Sequence, residues 1–214
     1  MAASIDGKIG PTDRAWIRFG AADEARLERC CAAADALLMG AGALRATGST
    51  VRVRAPELLA ERRAAGRPEQ PLSCVVTASG RLDAESRFFT KQAVPRLVAT
   101  TADGAAALPA RVRAQAEVWV SPGDRVDLSA LRVELAQRGL VQLVLLGGGE
   151  LNAAWLAREP VDRIELTVAP LLIGGETAPT VLDGPGLPEL QEYRLEHVEA
   201  SGELVFLTYQ RGPQ

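Results

Sequence analysis

The sequence has few of the residues that build metal sites and disulfide frameworks. Its 214 residues include three cysteines and one histidine, and no two cysteines have CxxC spacing. A lone histidine cannot supply the usual set of zinc ligands, and an odd number of cysteines does not form a disulfide framework. We therefore expect no metal ion, and we interpret Cys30 and Cys31 as small residues of a helix.

The chain also lacks the patterns that mark membrane and nucleic-acid proteins. No apolar run reaches the roughly 18 to 20 residues that cross a bilayer, and no secretory signal is visible at the start. Basic residues form no block and the formal net charge is −3, so electrostatics gives no reason to expect DNA or RNA as a partner. We expect a soluble, cytoplasmic protein with a single domain over residues 1–214.

Short apolar segments alternate with helical patterns over most of the chain, which favours the α/β class: a mostly parallel sheet with helices on both faces and an antiparallel C-terminal edge. Residues 2–9 predict a strand that runs into a turn at Asp6-Gly7. Asp23 is the expected N-cap of a helix that reaches Ala34. Residues 46–71 predict a long polar connection with one helical stretch at 56–66. The remaining predictions are strands at 36–39, 72–77, 96–101, 116–120, 140–146 and 163–169, helices at 128–138 and 151–157, and a hairpin of 193–199 with 203–210.

Three consecutive glycines follow the strongest strand pattern in the chain. Gly147, Gly148 and Gly149 separate that strand from a predicted helix that begins at Leu151. Glycine lets backbone amides approach a phosphate closely, and a helix N-terminus adds partial positive charge. A tight turn is the alternative, but three glycines in a row cost more chain entropy than a turn requires. We predict a phosphate or dinucleotide site here.

Other nucleotide-binding and hydrolase motifs are absent. Gly40 and Gly42 have the spacing of the first two glycines of a Rossmann fingerprint, but Arg45 stands in place of the third. The sequence contains neither the GxxxxGK[ST] motif of P-loop enzymes nor the GxSxG motif of α/β-hydrolases.

Two polar segments also follow predicted strands. Ser4, Asp6 and Lys8 bring a hydroxyl, a carboxylate and an amine to the end of the first strand, although Asp-Gly is also a common turn. Residues 77–81 place hydroxyl side chains, a glycine and an arginine after the strand at 72–77. Such a segment can bind a ribose or a phosphate, or it can be a polar loop.

Taken in order, these segments resemble the pyrimidine-reductase domain of the bifunctional deaminase-reductase of riboflavin biosynthesis, which has a dihydrofolate-reductase-like fold. The resemblance covers nearly the whole chain, and the ordered set is more specific than any one motif. The matching segments are 3–9 (A-S-L-D-G-K-I in the family), 16–17 (W-I), 35–40 with 44–46 (D-A-I-L-V-G and T-V-R-A), 76–82 (V-V-x-x-S-R-L), the glycine turn at 147–151, and 161–164 with 169–175 (V-D-E-L and A-P-x-L-L-G-G).

The resemblance implies a three-layer sandwich, NADPH as the cofactor, and reduction of 5-amino-6-(5-phosphoribosylamino)uracil to its ribitylamino product. Hydride would go to C1′ of the ribose in an opened imine form. The implied catalytic residues are Lys8 and Asp6, and the implied substrate contacts are Ser4, Trp16, Arg45 and Arg54. The implied cofactor contacts are Thr77, Ser79, Gly80 and Arg81 at the adenosine end, Gly147, Gly148, Gly149, Glu150 and Leu151 at the diphosphate, and Gly40.

Departures from the family pattern keep other functions open. Thr47-Gly48 replaces an Asp-Asp pair, so a carboxylate that contacts the sugar phosphate is missing, and Leu146 stands where riboflavin-pathway members have Glu. The first strand is short, so either the natural start lies upstream or the strand is truncated. The alternatives are a paralogous NADPH reductase of secondary or pterin-like metabolism, and a nucleotide-binding module without catalysis. The zinc motif of the deaminase is absent.

We also expect a homodimer. The reasons are the family resemblance and the apolar C-terminal hairpin, which includes Leu204, Val205, Phe206 and Leu207. A preference for NADPH over NADH requires a 2′-phosphate site, for which Arg81 and Thr101 are candidates.

Overall fold

The computed structural model describes residues 1–13 and 17–212, so Trp16 lies outside the described residues. Strands and helices alternate along the chain, as predicted. The strands are β1 (Ala2–Ser4), β2 (Ala36–Gly40), β3 (Leu72–Val76), β4 (Arg96–Thr101), β5 (Glu117–Ser121), β6 (Leu143–Gly147), β7 (Arg163–Ala169), β8 (Tyr193–Ser201) and β9 (Leu204–Arg211). The helices are α1 (Ala21–Ala32), α2 (Ala41–Thr47), α3 (Pro56–Ala64), α4 (Arg87–Thr90), α5 (Ala102–Ala107), α6 (Ala110–Gln115), α7 (Leu128–Gln137) and α8 (Gly149–Leu156).

Five strands form a parallel sheet in the order β5-β4-β3-β2-β6. The pairs β2–β3, β3–β4 and β4–β5 are parallel. The carbonyl of Gln142, just before β6, accepts hydrogen bonds from Asp35 and Ala36 at the start of β2, so β6 runs in the same direction as β2. The strand order reverses between β2 and β6. In open α/β sheets, ligands bind at the carboxyl ends of the strands beside such a reversal.

The three inner strands of this sheet, β2, β3 and β4, are mainly apolar and buried, whereas the edge strands β5 and β6 are partly exposed. Leu37 and Leu97 are fully buried, and apolar side chains of the neighbouring helices pack against the sheet. Cys31 in α1 and Cys74 in β3 belong to this core, and burial raises the pKa of both thiols, to about 12 for Cys74. The prediction that Cys30 and Cys31 are helix residues is confirmed.

The other four strands form a second, mixed sheet in the order β1-β7-β9-β8. β1 pairs with β7 in parallel, and β7, β9 and β8 are antiparallel neighbours. The predicted C-terminal hairpin is therefore present. It belongs to the second sheet, because β9 pairs with β7 along almost its full length.

The described chain divides into two compact units. The first unit comprises residues 1–26 and 147–214 and contains the mixed sheet and α8. The second unit comprises residues 27–146 and contains most of the parallel sheet. Among the described residues, no helix is long and apolar enough to span a membrane.

Several helix boundaries differ from the sequence predictions. α1 begins at Ala21, so Asp23 lies in its first turn and is not the N-cap. At that position its negative charge still stabilises the positive end of the helix dipole. The predicted polar connection at 46–71 contains α3, as expected, but α2 already occupies the residues that lead into it.

Candidate functional site

The turn after β1 joins the side chains of Ser4 and Asp6 and holds the backbone of Lys8. The Ser4 hydroxyl donates a hydrogen bond to Asp6 Oδ1 (2.6 Å) and accepts one from the Lys8 backbone N–H (2.9 Å). Gly7 has a φ of 78° and closes the turn on the Ser4 carbonyl. One proton of the Lys8 ammonium is used in a hydrogen bond from Nζ to the Ala178 carbonyl oxygen (3.2 Å). The Ser4 and Asp6 side chains therefore form one cluster with the backbone of Lys8, and the Lys8 ammonium is bonded to Ala178.

Asp6 is an acceptor of several hydrogen bonds. Besides the Ser4 hydroxyl, its carboxylate accepts the backbone N–H groups of Ile173 (3.1 Å) and Gly174 (2.7 Å). The Ser4 bond and these two backbone bonds lower the pKa of Asp6 to about 2. The side chain is therefore ionised at neutral pH and has no proton to donate. It anchors the segment that follows β7 against the turn.

The glycine turn between β6 and α8 leaves the first amides of α8 without a side-chain cap. Gly148 is the N-cap residue (φ −62°, ψ 175°), and no side chain makes a capping hydrogen bond there. Gly147 has a φ of 95°, a conformation that favours glycine, and a Cβ on it would lie 3.1 Å from the Met1 side chain. Glu150 and Leu151 complete the first helical turn. Uncapped amides at a helix start carry partial positive charge and suit an anionic group.

A segment that the sequence reasoning missed, residues 178–183, links these two features within the first unit. Thr180 forms an antiparallel bridge with Lys8, and its N–H and hydroxyl both donate to Asp183 Oδ1 (3.0 and 2.7 Å). A Cβ on Gly149 would lie 2.5 Å from the Thr180 carbonyl oxygen and 2.5 Å from Asp183 Oδ2, so only glycine fits there. The one sequence signal for this segment is the Thr-x-x-Asp spacing, which is typical of a polar turn.

In the second unit, the loops after β3 and β4 interlock at the carboxyl edge of the parallel sheet. The Thr101 hydroxyl donates to the Ala78 carbonyl oxygen (2.9 Å) and accepts the N–H of Gly104 (3.0 Å), which caps α5. Gly80 has a φ of 63°, and a Cβ on it would lie 1.9 Å from the Gly104 carbonyl oxygen. The loop at 77–81 is therefore closely packed, and the side chain of Arg81 is exposed. Gly104 was not among the predicted site residues.

A cavity of about 330 Å³ lies beside α2 in the same unit. One face of α2 lines it, because four of the lining positions recur at helical spacing after Gly40. Charges of both signs are present, and the buried Ser86 hydroxyl has no hydrogen-bond partner in residues 1–13 and 17–212. The lining residues are Ala41, Leu44, Arg45, Gly48, Leu82, Asp83 and Ser86.

The predicted site residues thus form two groups, one in each unit. Ser4, Asp6 and Lys8 share the first unit with residues 147–151. Gly40, Arg45, Arg54 and residues 77–81 belong to the second. Arg54 is exposed just before α3, and its backbone N–H donates to Glu28 Oε1 (2.5 Å). Within the described residues, no group of three or more His, Cys, Asp or Glu side chains could hold a metal ion.

Comparisons with known proteins identify the family of this chain. The profile of a family described as the RibD C-terminal domain matches residues 1–207. A 2,5-diamino-6-ribosylamino-4(3H)-pyrimidinone 5′-phosphate reductase of Archaeoglobus fulgidus is 33% identical over 204 residues, which cover 95% of this chain and 92% of the relative. The protein of the same name in Methanothermobacter thermautotrophicus is 30% identical over 196 residues, which cover 91% and 87%.

A solved structure confirms the α/β fold. It is that of a pyrimidine reductase-like protein of Corynebacterium diphtheriae, which superposes with a TM-score of 0.84 at 22% identity. The superposition covers 100% of this chain and 90% of the other chain. The fold expected from the family resemblance is therefore present.

Proposed function

The chain belongs to the RibD C-terminal domain family, and we propose that it is an NADPH-dependent reductase of riboflavin biosynthesis that acts on a ribosylaminopyrimidine 5′-phosphate. The observation that carries the proposal is the family match across residues 1–207. The two relatives at 33% and 30% identity are named for a substrate with an amino group at C2, where the uracil compound has oxygen. We therefore take the diamino compound as the preferred substrate and the uracil compound as the alternative.

The glycine turn supports the cofactor assignment. Its backbone amides have no side-chain cap, and a Cβ on Gly148 would meet nothing within 4 Å. A phosphate group of the cofactor can therefore approach the start of α8 closely, where residues 147–151 would hold it. In the second unit we retain Gly40 and residues 77–81 as contacts of the adenosine end.

The protein groups have a limited task in this reaction. A bound reduced nicotinamide supplies the hydride, which would go to C1′ of the opened ribose imine. The chain orients the substrate and supplies a proton. We assign proton donation to Lys8, whose ammonium is held by the Ala178 carbonyl oxygen and would protonate the ring oxygen of the ribose as the C1′–O bond breaks. The glycosidic nitrogen would keep its own proton, so the resulting protonated imine would become the amine on hydride addition without a second proton donor. Asp6 is ionised and Ser4 is buried and bonded to it, so we assign both to positioning Lys8 and the segment after β7.

The family match runs through both units, and we propose that residues 1–214 act as one reductase domain. We place the enzyme in the cytoplasm, where a pool of reduced nicotinamide cofactor is available to it.

A homodimer is supported by one face of the mixed sheet, which we call the apolar face. β8 is an edge strand, and Leu195 and Val198 on it are 49% and 51% exposed. The side chains opposite them on β9 and β7 are only half-buried. A second copy of the chain would cover this surface, because edge strands and apolar sheet faces are suited to pairing. The apolar face comprises Ile164, Leu166, Val168, Leu195, Val198, Val205, Leu207 and Tyr209.

Two measurements test the proposed function. Titration with NADPH and NADH, followed by nicotinamide fluorescence, should give binding that is tighter for NADPH. Turnover of the diamino pyrimidinone 5′-phosphate should then reach a rate on the order of 1 per second, above that of the uracil compound. Cofactor binding without turnover of either compound would favour the paralogous reductase. If neither cofactor binds, the assignment of the glycine turn is wrong.

A further inference from the structure

An acidic side chain of the first unit lies against the start of α8, where we place a phosphate of the cofactor. A Cβ on Gly149 would lie 2.5 Å from Asp183 Oδ2, so this carboxylate contacts the first residue of the helix. It stabilises the positive end of the helix dipole there without making a capping hydrogen bond. The same charge repels any second anion at the helix start. Asp183 therefore influences which anions can bind there.

Hydrogen bonds hold the Asp183 carboxylate in this position. Its Oδ1 accepts the N–H and the hydroxyl of Thr180 (3.0 and 2.7 Å). Thr180 is itself fixed, because it forms an antiparallel bridge with Lys8. The buried Asn152 side chain donates to the Val181 carbonyl oxygen (2.9 Å), which ties the same segment to α8. The carboxylate therefore cannot turn away from the helix start without breaking some of these bonds.

No basic side chain among the described residues neutralises Asp183. Both hydrogen bonds to its carboxylate come from neutral groups of Thr180. Asp183 is half-buried, so solvent and salt screen its charge less than that of an exposed carboxylate. Glu150, the other acidic residue at this helix start, is exposed, and its charge is better screened. A phosphate beside Gly148 would therefore be repelled mainly by Asp183.

Phosphate groups of different esters carry different charges, and Asp183 repels them to different extents. Each phosphate in the diphosphate of a dinucleotide is substituted on both sides and carries one negative charge, whereas a phosphate monoester carries about 1.5 to 2 at pH 7. Repulsion grows in proportion to that charge. A Cβ on Gly148 would meet nothing within 4 Å, so there is room for either kind of phosphate. Charge, more than shape, therefore distinguishes the two ligands at this position.

We infer that Asp183 is a specificity-determining residue, whose fixed carboxylate selects the singly charged phosphates of a dinucleotide over phosphate monoesters at the start of α8. Specific sites commonly combine attractive contacts with a repulsive element of this kind. The inference rests on the proposed function, in which the cofactor has such a diphosphate and the substrate has a 5′-phosphate monoester. Asp183 would keep the substrate phosphate out of the place of the cofactor. The 2′-phosphate of NADPH belongs to the adenosine end, which we place at residues 77–81.

ADP-ribose and ADP form a matched pair of ligands for the test. They share the adenosine and the diphosphate, but ADP lacks the terminal ribose and carries an extra negative charge on its β-phosphate. Calorimetry measures the binding of each to the full chain for the wild type, Asp183→Asn and the control Asp124→Asn, which removes the same charge from an exposed loop position. We expect Asp183→Asn to lower the ADP-ribose-to-ADP affinity ratio by about threefold to tenfold, the repulsion of unit charges about 6 Å apart in largely aqueous surroundings. The change should shrink with added salt, and Asp124→Asn should keep the wild-type ratio.

The asparagine variant separates charge from structure. Its side-chain oxygen can still accept the bonds from Thr180, so a purely structural effect would change both affinities alike and leave their ratio constant. An unchanged ratio in Asp183→Asn, or an equal change in Asp124→Asn, would overturn the inference. If the wild type binds neither ligand, the inference fails together with the assignment of the glycine turn. If the ratio falls as expected but the wild type reduces neither pyrimidine, the proposed function fails and the selection by charge stands.

Discussion

Neighbouring glycines at the start of α8 allow packing to be separated from cofactor binding. A Cβ on Gly149 would lie 2.5 Å from the Thr180 carbonyl oxygen, 2.5 Å from Asp183 Oδ2 and 2.6 Å from Asp183 Cγ. Real Cβ atoms essentially never lie within 3.0 Å of such atoms, and one of the three belongs to the backbone. The Gly149→Ala substitution therefore forces α8 and residues 180–183 apart. A Cβ on Gly148 would meet nothing within 4 Å, and its φ of −62° suits any residue.

The expected magnitudes follow from these distances. Overpacking of this kind costs about 1–3 kcal/mol, and the higher helix propensity of alanine offsets up to about 1 kcal/mol of it. We expect Gly149→Ala to lower the free energy of unfolding by about 1–2 kcal/mol, or Tm by roughly 2–8 °C for a chain of this size. Gly148→Ala should leave the free energy of unfolding nearly unchanged, because the lower entropy of the unfolded chain, about 0.4–1 kcal/mol, is offset by the poorer N-cap preference of alanine.

NADPH binding, unlike stability, is expected to change in Gly148→Ala. If a cofactor phosphate approaches the backbone at Gly148, the added methyl group should weaken NADPH binding by about tenfold, equivalent to about 1.4 kcal/mol. Differential scanning calorimetry and nicotinamide fluorescence measure the two effects in the same preparations. Wild-type Tm in Gly149→Ala would refute the close packing of residues 180–183 on α8. Wild-type NADPH affinity in the stable Gly148→Ala variant would refute phosphate binding at this turn.

Three further predictions concern the polar turn and the apolar face. Lys8→Met should lower kcat by a factor on the order of 10²–10⁴, the usual contribution of a proton donor, while the NADPH dissociation constant stays unchanged. A weakened cofactor affinity with normal kcat would instead assign Lys8 to cofactor binding. Asp6 has a pKa of about 2 in the folded state, below the unfolded value of about 3.9, so the stability that it contributes is present above about pH 4 and is lost as the pH falls towards 2. The Tm difference between the wild type and Asp6→Asn should therefore be constant from pH 7 to about pH 4.5 and shrink below it, and a difference that persists to pH 2 would count against the anchoring role. Val198→Asp on the edge strand β8 should convert a dimer into a monomer, as measured by light scattering. The control Leu190→Asp should not, because Leu190 is 99% exposed and lies outside the strands. A wild-type mass equal to one chain would refute the dimer itself.

The sequence predicted those parts of the fold that local patterns specify. β4 and β7 have the predicted bounds because each is a short, mainly apolar run that ends at polar or turn residues. The hairpin that was predicted at 193–199 with 203–210 is formed by β8 and β9, at Tyr193–Ser201 and Leu204–Arg211. The helices α2, α4, α5 and α6 were not predicted. They have seven, four, six and six residues, too few to complete two turns, so no helical period is visible. Gly42 lowers the helix propensity of α2, and the packing of Ala41 and Leu44 into the core compensates for it.

The candidate site shows the same division between local and distant contacts. Ser4, Asp6 and Lys8 form one turn, so their proximity could be read from the sequence. The partner of the Lys8 ammonium, Ala178, is 170 residues away, and the close contact of Thr180 with Gly149 depends on how both segments pack. Nothing in the sequence specifies such contacts. The contact of Gly80 with Gly104 was missed for the same reason, although Gly80 itself was among the predicted site residues.

The start of α8 shows how the same residue type can be required by packing at one position and be free of that requirement at the next. Packing requires glycine at Gly149, because a Cβ there would meet the Thr180 carbonyl oxygen and the Asp183 carboxylate. Gly148 has open space beside it, so packing alone does not require glycine at that position. Open space beside backbone amides that lack a side-chain cap is what an anionic ligand needs. A substitution at Gly148 therefore tests ligand binding, whereas one at Gly149 tests the packing of α8.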